Sequence, residues 1–373
     1  MLKKTLFLLC FLYSCLIFGQ NNYYLEGKLG KSSIYLSIEV YDSEENSVNA
    51  RYFYQNSLKD IVLEGTRVKG KFILFFKDYS TDKIIEKFEL TSLQNKTFKG
   101  FWSNATGKKT AIELQPIDFS KIKANPIVKT EDSPMNKVKL QFLNFKKDSA
   151  SVHFGKKIDW YSEKHCKMSF FRLSDNFSLT TRKKINPMLN TIQVEEVLSQ
   201  LECSTRFAYS EGSGIDYSVK IGFLNKDLLG FEMFRAWDCG GAHPDFGGQG
   251  YLIDLNTGKN FDLDQIIAFD KSVTSDKDNN FSAYSEYRTK YFAPKLFELI
   301  NESQHFKKPE NSEEDGCDYT DLEIWNFVSW NFTKDGIEFT PYFYRAARNC
   351  EEPFLIPFDS LKKYKNPTFP YTF

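Results

Sequence analysis

A chain of 373 residues is long for one domain, and its 49 Lys and Arg balance 49 Asp and Glu. Zero net charge leaves no basic footprint for nucleic acid. The 36 Phe and 20 Tyr suit β-rich layers that bury rings on one face and expose Lys, Asn and Asp on the other, so two domains are expected.

Residues 1–19 read as a signal peptide. Lys3 and Lys4 precede an apolar run, Leu6 to Phe18, that is too short to span a bilayer. Gly19 gives a small residue for cleavage. Lipidation at Cys15 is the weaker reading, because Tyr13 is bulky and apolar residues continue beyond it. No later run is long and apolar enough for a transmembrane segment. The expectation is an exported protein, periplasmic or secreted.

Residues 20–115 read as an all-β meander, either a small sandwich or an open barrel. Ile34, Leu36, Ile38 and Val40 alternate, as do Val68, Phe72, Leu74 and Phe76 around Gly70. Turn formers separate short, evenly spaced strands, with no helical period between them. Residues 116–135 hold Pro116, Pro126 and Pro134 among polar residues and read as a linker.

Residues 136–373 read as α+β with an antiparallel sheet. Val138 to Phe145 alternates like a strand, and Cys166 to Leu173 is another. Asn186-Pro187 reads as a helix start. Ile215, Tyr217, Val219, Ile221 and Phe223 form a clear strand, which Asn225-Lys226-Asp227 turns into Leu228 to Trp237. A bend follows at Gly240, Gly241, Ala242, His243, Pro244 and Asp245, then a strand through Tyr251, Ile253 and Leu255. Asn256-Thr257-Gly258-Lys259 reads as a tight turn with Gly258 at positive φ. A helix is expected over Tyr284 to Asn301, kinked or split at Pro294. Glu310 to Asp318 is an acidic loop, and Trp325–Phe332 with Ile337–Phe343 form the last hairpin.

Five cysteines follow residue 20: Cys166, Cys203, Cys239, Cys317 and Cys350. Some should pair in an oxidising compartment. Cys317 and Cys350 flank a two-strand unit and are the favoured pair, with Cys239–Cys350 the rival.

Catalytic signals are weak. His243 has Cys239 four residues before it and Asp245 two after, the residue types of an activated-nucleophile hydrolase. The blander reading is that His243 hydrogen-bonds backbone and locks the bend. Four histidines without HxxxH or HxH spacing, and no CxxC, give no metal site. No cofactor is expected, since neither a P-loop nor GxSxG occurs. SxxK appears at Ser120 to Lys123 and Ser360 to Lys363 without partner motifs. Glu195-Glu196 and Glu351-Glu352 read as solvated faces. Glu313, Glu314, Asp315 and Asp318 read the same way, although they could steer a basic protein inward.

The order GGAHP, strand, LNTGK turn and FDLDQI, with Phe354-Leu355-Ile356-Pro357-Phe358 near the end, resembles the RsiV/PdaC-type extracytoplasmic domain family. That family takes in a lysozyme-sensing anti-sigma factor and the non-catalytic part of a peptidoglycan deacetylase, and the resemblance covers roughly residues 160–365. It implies a non-enzymatic binding module of the cell envelope whose partner is a lysozyme-like protein or a peptidoglycan fragment. With no membrane helix read here, lysozyme binding would make the chain an inhibitor or scavenger. The alternatives are an envelope hydrolase using His243 with Cys239 or Asp245, and a structural or adhesive surface protein.

Overall fold

A computed structural model describes residues 21–40, 46–78, 81–123, 133–166, 168–203, 214–240, 243–274, 277–309 and 317–373. The expected signal peptide lies outside these residues, as do Gly241, Ala242, Glu313, Glu314 and Asp315.

Eight strands form the N-terminal unit: β1 (Asn21–Leu29), β2 (Ser32–Val40), β3 (Ser47–Tyr54), β4 (Ile61–Val68), β5 (Lys71–Asp78), β6 (Lys83–Ser92), β7 (Phe98–Asn104) and β8 (Lys109–Pro116). Each pairs antiparallel with the next. The meander anticipated as a sandwich or open barrel is in fact a closed barrel, because β1 also pairs with β8 from Leu25↔Pro116 to Gly27↔Leu114. A Cβ at Gly27 would overlap the Glu113 carbonyl oxygen, so glycine allows this close seam. Inward Ile34, Leu36, Ile38, Tyr52, Leu74, Phe88 and Phe98 fill the interior, as eight strands permit. The Tyr52 hydroxyl meets Glu86, which also accepts from Trp102 Nε1 at 3.2 Å. Period-2 alternation sends Tyr35 and Phe53 outward. Their rings stack at 5.2 Å, and Phe53 is buried in the core of the following region with Leu58 and Ile117.

That region begins with α1 (Pro134–Leu140), where a strand was expected. Val138, Leu140 and Phe142 mimic strand spacing. However, Ser133 Oγ caps the Asn136 N–H and Pro134 stands at the first turn, which are helix-start signals. Strands β9 (Phe145–His153), β10 (Lys156–Glu163) and β11 (Ser169–Leu173) make an antiparallel sheet covered by α2 (Leu179–Glu202). The expected start of this helix at Asn186-Pro187 is also corrected. Ser178 caps it from the Thr181 N–H at 3.0 Å, and Pro187 lies inside. The Asn186 side chain instead bonds the Leu173 backbone, at 2.9 and 3.1 Å.

The meander β12 (Gly214–Leu224), β13 (Leu228–Asp238) and β14 (Asp245–Asp254) follows the sequence reading closely. Gly258 has φ +80°, and Asp254 Oδ1 accepts from the Asn256 and Thr257 N–H groups, as the tight turn requires. After the four-residue α3 (Leu263–Ile266), α4 (Phe281–Tyr287) runs through a single π-helical turn, Arg288–Phe292, into α5 (Ala293–Gln304). Pro294 does not break the run. It has no N–H to give to the carbonyl four residues back, and the turn before it widens until the Ala293 N–H reaches Arg288 O. The sheet β15 (Ser329–Phe332), β16 (Gly336–Thr340) and β17 (Phe354–Pro357) packs on these helices around Trp325, Phe292, Leu296, Ile337 and Ile356.

The molecule is therefore α+β with antiparallel sheets behind an antiparallel barrel. Among the described residues, no helix is long and apolar enough to cross a membrane.

Candidate functional site

The bend lies between β13 and β14 and is braced on both sides. Cys239, just past β13, is disulfide-bonded to Cys203 at the C-terminus of α2. This corrects the rival pairing with Cys350, whose partner is Cys317 as favoured. Gly240 takes φ +78°, and its N–H donates to Asp238 Oδ1 at 3.3 Å. His243 and Pro244 are exposed and Asp245 is half-buried.

The second brace is a 3-10 turn, Arg345–Cys350, anchored by Cys317–Cys350. Arg345 Nη1 meets His243 Nδ1 and donates to Pro244 O at 2.7 Å. Arg348 is buried. It pairs with Asp245, donates to Phe246 O, and has Nε 2.9 Å from Glu351 Oε1. Its guanidinium stacks between Phe246 at 4.3 Å and Tyr342 at 4.6 Å. The His243 ring meets a guanidinium, and Arg345 also bonds backbone in the bend, at the Pro244 carbonyl. Nothing in the spacing of the sequence marks either arginine, because both reach the bend across about a hundred residues of chain.

This arrangement removes the thiol from any Cys-His chemistry, since Cys239 is taken up in a disulfide. His165 Nδ1 lies 2.9 Å from Glu163 Oε1, and His153 Nε2 lies 2.9 Å from Ser151 Oγ. Among the described residues no three His, Cys, Asp or Glu side chains gather as metal ligands.

The strand leaving the bend lines a cleft of about 190 Å³ with both polar and apolar walls. Phe246, Gly247 and Gly248 face Lys220, Glu232 and Asn331, with Glu338 and Glu351 also in its wall. Glu338 Oε2 accepts from Asn331 Nδ2 at 3.0 Å and pairs with Lys220 at 2.8 Å. Burial raises the pKa of Glu232, against the pull of Lys220 and with help from Glu338. Glu232 and Glu338 stand with Lys220 and Asn331 in one wall, so hydrogen-bond donors and acceptors lie side by side in the cleft. Glu232 and Asn331 carried no signal in the sequence, since their roles depend on two sheets stacking.

Solved structures that resemble this chain include two of the DUF3298 family. A member of the DUF3298 family from Bacteroides fragilis NCTC 9343 is 15% identical, with 61% of this chain and 96% of that one covered at a TM-score of 0.34. A DUF3298 family protein from Pseudomonas aeruginosa PAO1 is 14% identical, with 61% and 96% covered at a TM-score of 0.29. No family model and no curated protein matches the sequence.

Proposed function

We propose that this chain is an exported, non-enzymatic recognition module of the cell envelope, and that its ligand is a lysozyme-like protein or a peptidoglycan-related molecule. The observation that carries the reading is the state of the bend. Cys239 is held in a disulfide, His243 and Asp245 are each engaged by an arginine, and the next residues line a cleft of mixed polar and apolar character. Such a bend presents a surface and performs no nucleophilic step. Two disulfides suit folding outside the cytoplasm. In this reading residues 20–115 form one domain, 116–135 a linker and 136–373 the recognition domain.

The test is calorimetry of the protein from Gln20 onward against lysozyme and, separately, soluble muropeptides. Micromolar binding of either is the expected result, and the one that binds names the ligand class. Silence from both would move the weight to a structural or adhesive role.

A further inference from the structure

On the far side of the glycine-rich part of β14 lies a second cavity, this one polar, of about 170 Å³. Its wall includes Gln249, Asp264, Lys277, Tyr284, Arg288 and Trp330. Asp264 and Arg288 form an ion pair at 2.7 Å with both side chains at least nine-tenths buried. The pair is incompletely satisfied. Arg288 Nε and Nη1 and Asp264 Oδ1 are buried without a well-formed hydrogen bond. Burial raises the Asp264 carboxyl against the pull of Arg288, and raises the Tyr284 hydroxyl in the same surroundings. Buried polar atoms left without partners cost stability, and each needs a reason. Arg288 also opens the π-helical turn, a distortion frequent at functional sites, and its guanidinium lies 3.9 Å over the Phe292 ring.

Three observations narrow the ligand. The charged residues of the wall are Asp262 and Asp264 against Lys277 and Arg288, so the site has no net charge with which to gather an anion. Gln249, Asp262, Asp264, Lys277, Tyr284 and Arg288 bring donors and acceptors together in the wall, which suits a group offering both, as neighbouring ring hydroxyls do. Beside the cavity stands an aromatic shelf. Phe281 and Phe327 are 61% and 44% exposed with their rings nearly parallel, 16° apart, and Tyr284 of the cavity wall leans against both. A hydroxyl edge with an apolar C–H face is the chemistry of a sugar ring. The volume falls short of the roughly 300–1,000 Å³ of sites for drug-sized ligands, so the cavity takes one ring and a chain would continue over the shelf.

We infer that the Asp264–Arg288 cavity and the Phe281–Phe327 shelf form a saccharide-binding site, one ring entering the cavity and the next lying on the aromatics. This deepens the recognition reading above and rests on it for its biological sense. The probes are tri-N-acetylchitotriose and cellotriose, titrated by calorimetry into the protein from Gln20 onward, with muropeptide titrated in parallel. At least one trisaccharide should bind, and the difference between the two reports whether the acetamido group is read. Phe281→Ala/Phe327→Ala alters only exposed rings and should weaken binding about tenfold or more without altering the melting temperature. Arg288→Lys keeps the charge opposite Asp264 but loses the planar fork, and should weaken binding similarly. If neither trisaccharide binds at millimolar concentration, the proposal is overturned and the pair is a structural one. If muropeptide still binds in that case, the recognition reading survives without this site. Trisaccharide binding that both variants leave intact would also overturn it.

Discussion

Lys139 Nζ lies 2.8 Å from Asp60 Oδ1 with both side chains almost wholly enclosed, and this pair ties the barrel to the rest of the molecule. Lys139 comes from α1 and Asp60 from the approach to β4. The Lys139 ammonium also lies 5.3 Å over the outward ring of Phe53, while the Asp60 N–H donates to Leu201 O of α2 at 2.8 Å. Lys139→Met should therefore leave a buried carboxylate with only the half-exposed Arg51, 3.6 Å away, as its cation. The expected loss is about 3–5 kcal/mol in urea unfolding, and adding Asp60→Leu should recover much of it, since a buried pair often gives way to apolar residues at little cost. A single variant within 1 kcal/mol of wild type, by order of magnitude, would mean that the barrel docks through apolar contacts alone.

The disulfides predict a thiol count. In the protein from Gln20 onward, denaturation without reductant should expose one reactive thiol per chain, Cys166. In the folded state burial pushes that thiol up to about 11, so alkylation at pH 8 should be slow. The variant Cys203→Ser/Cys239→Ser should lose roughly 2–5 kcal/mol and admit protease near residue 240. Three thiols on denaturation would contradict one of the two pairings, and mapping the alkylated cysteines would say which.

Arg348 and Arg345 should differ sharply. Arg348 is enclosed between two rings and bonded to Asp245, Phe246 and Glu351, a geometry that lysine cannot copy. Arg348→Lys is expected to cost about 2–4 kcal/mol by chemical denaturation. Arg345→Ala, at an exposed contact, should cost under about 1 kcal/mol. Equal losses would show that the whole 3-10 turn, and not the Arg348 stack, holds the bend.

Glu232 gives a pH signature. Burial holds its folded pKa above the ordinary 4.5, so the folded state binds the proton more tightly than the unfolded chain does. Its favourable contribution is therefore full below pH 4.5 and lost as pH rises through the folded value. Glu232→Gln stays neutral throughout. Melting temperatures from pH 4 to pH 8 should show the variant gaining on wild type as pH increases. A variant that falls behind at neutral pH would mean that the ionised carboxylate is needed beside Lys220.

What the sequence made legible was local. The barrel strands and the β12–β14 meander declare themselves because one face of each is buried and the period is two. The Asn256–Lys259 turn does so because Gly258 meets its steric demand. Closure of the barrel was not legible, since Leu25 and Pro116 pair across nearly the whole unit. Nor was α1, because Val138, Leu140 and Phe142 satisfy a strand pattern that the Ser133 cap overrides. The bend itself was visible as Gly, His and Pro in close order. Its braces, Cys203, Arg345 and Arg348, arrive from other elements, as do Arg288 and Trp330 around the second cavity, and sequence spacing carries no trace of such meetings.

The glycines of β14 separate shape from flexibility. Both cavities flank this strand, and it passes so near β15 that a Cβ at Gly250 would overlap the Trp330 carbonyl oxygen. Gly247, three residues earlier in the same strand, has nothing within 4 Å of the Cβ it would gain. If glycine is there for close approach, Gly250→Ala must push the two strands apart and should cost at least about 2 kcal/mol, while distorting the wall that holds Trp330. Gly247→Ala should be neutral, or stabilise by up to about 1 kcal/mol, because it removes conformational freedom from the unfolded chain at a site with room. If glycine is there for flexibility along the whole run, the two variants would instead respond alike. Thermal melts of both proteins distinguish these cases, and the expected result is a wide gap between them.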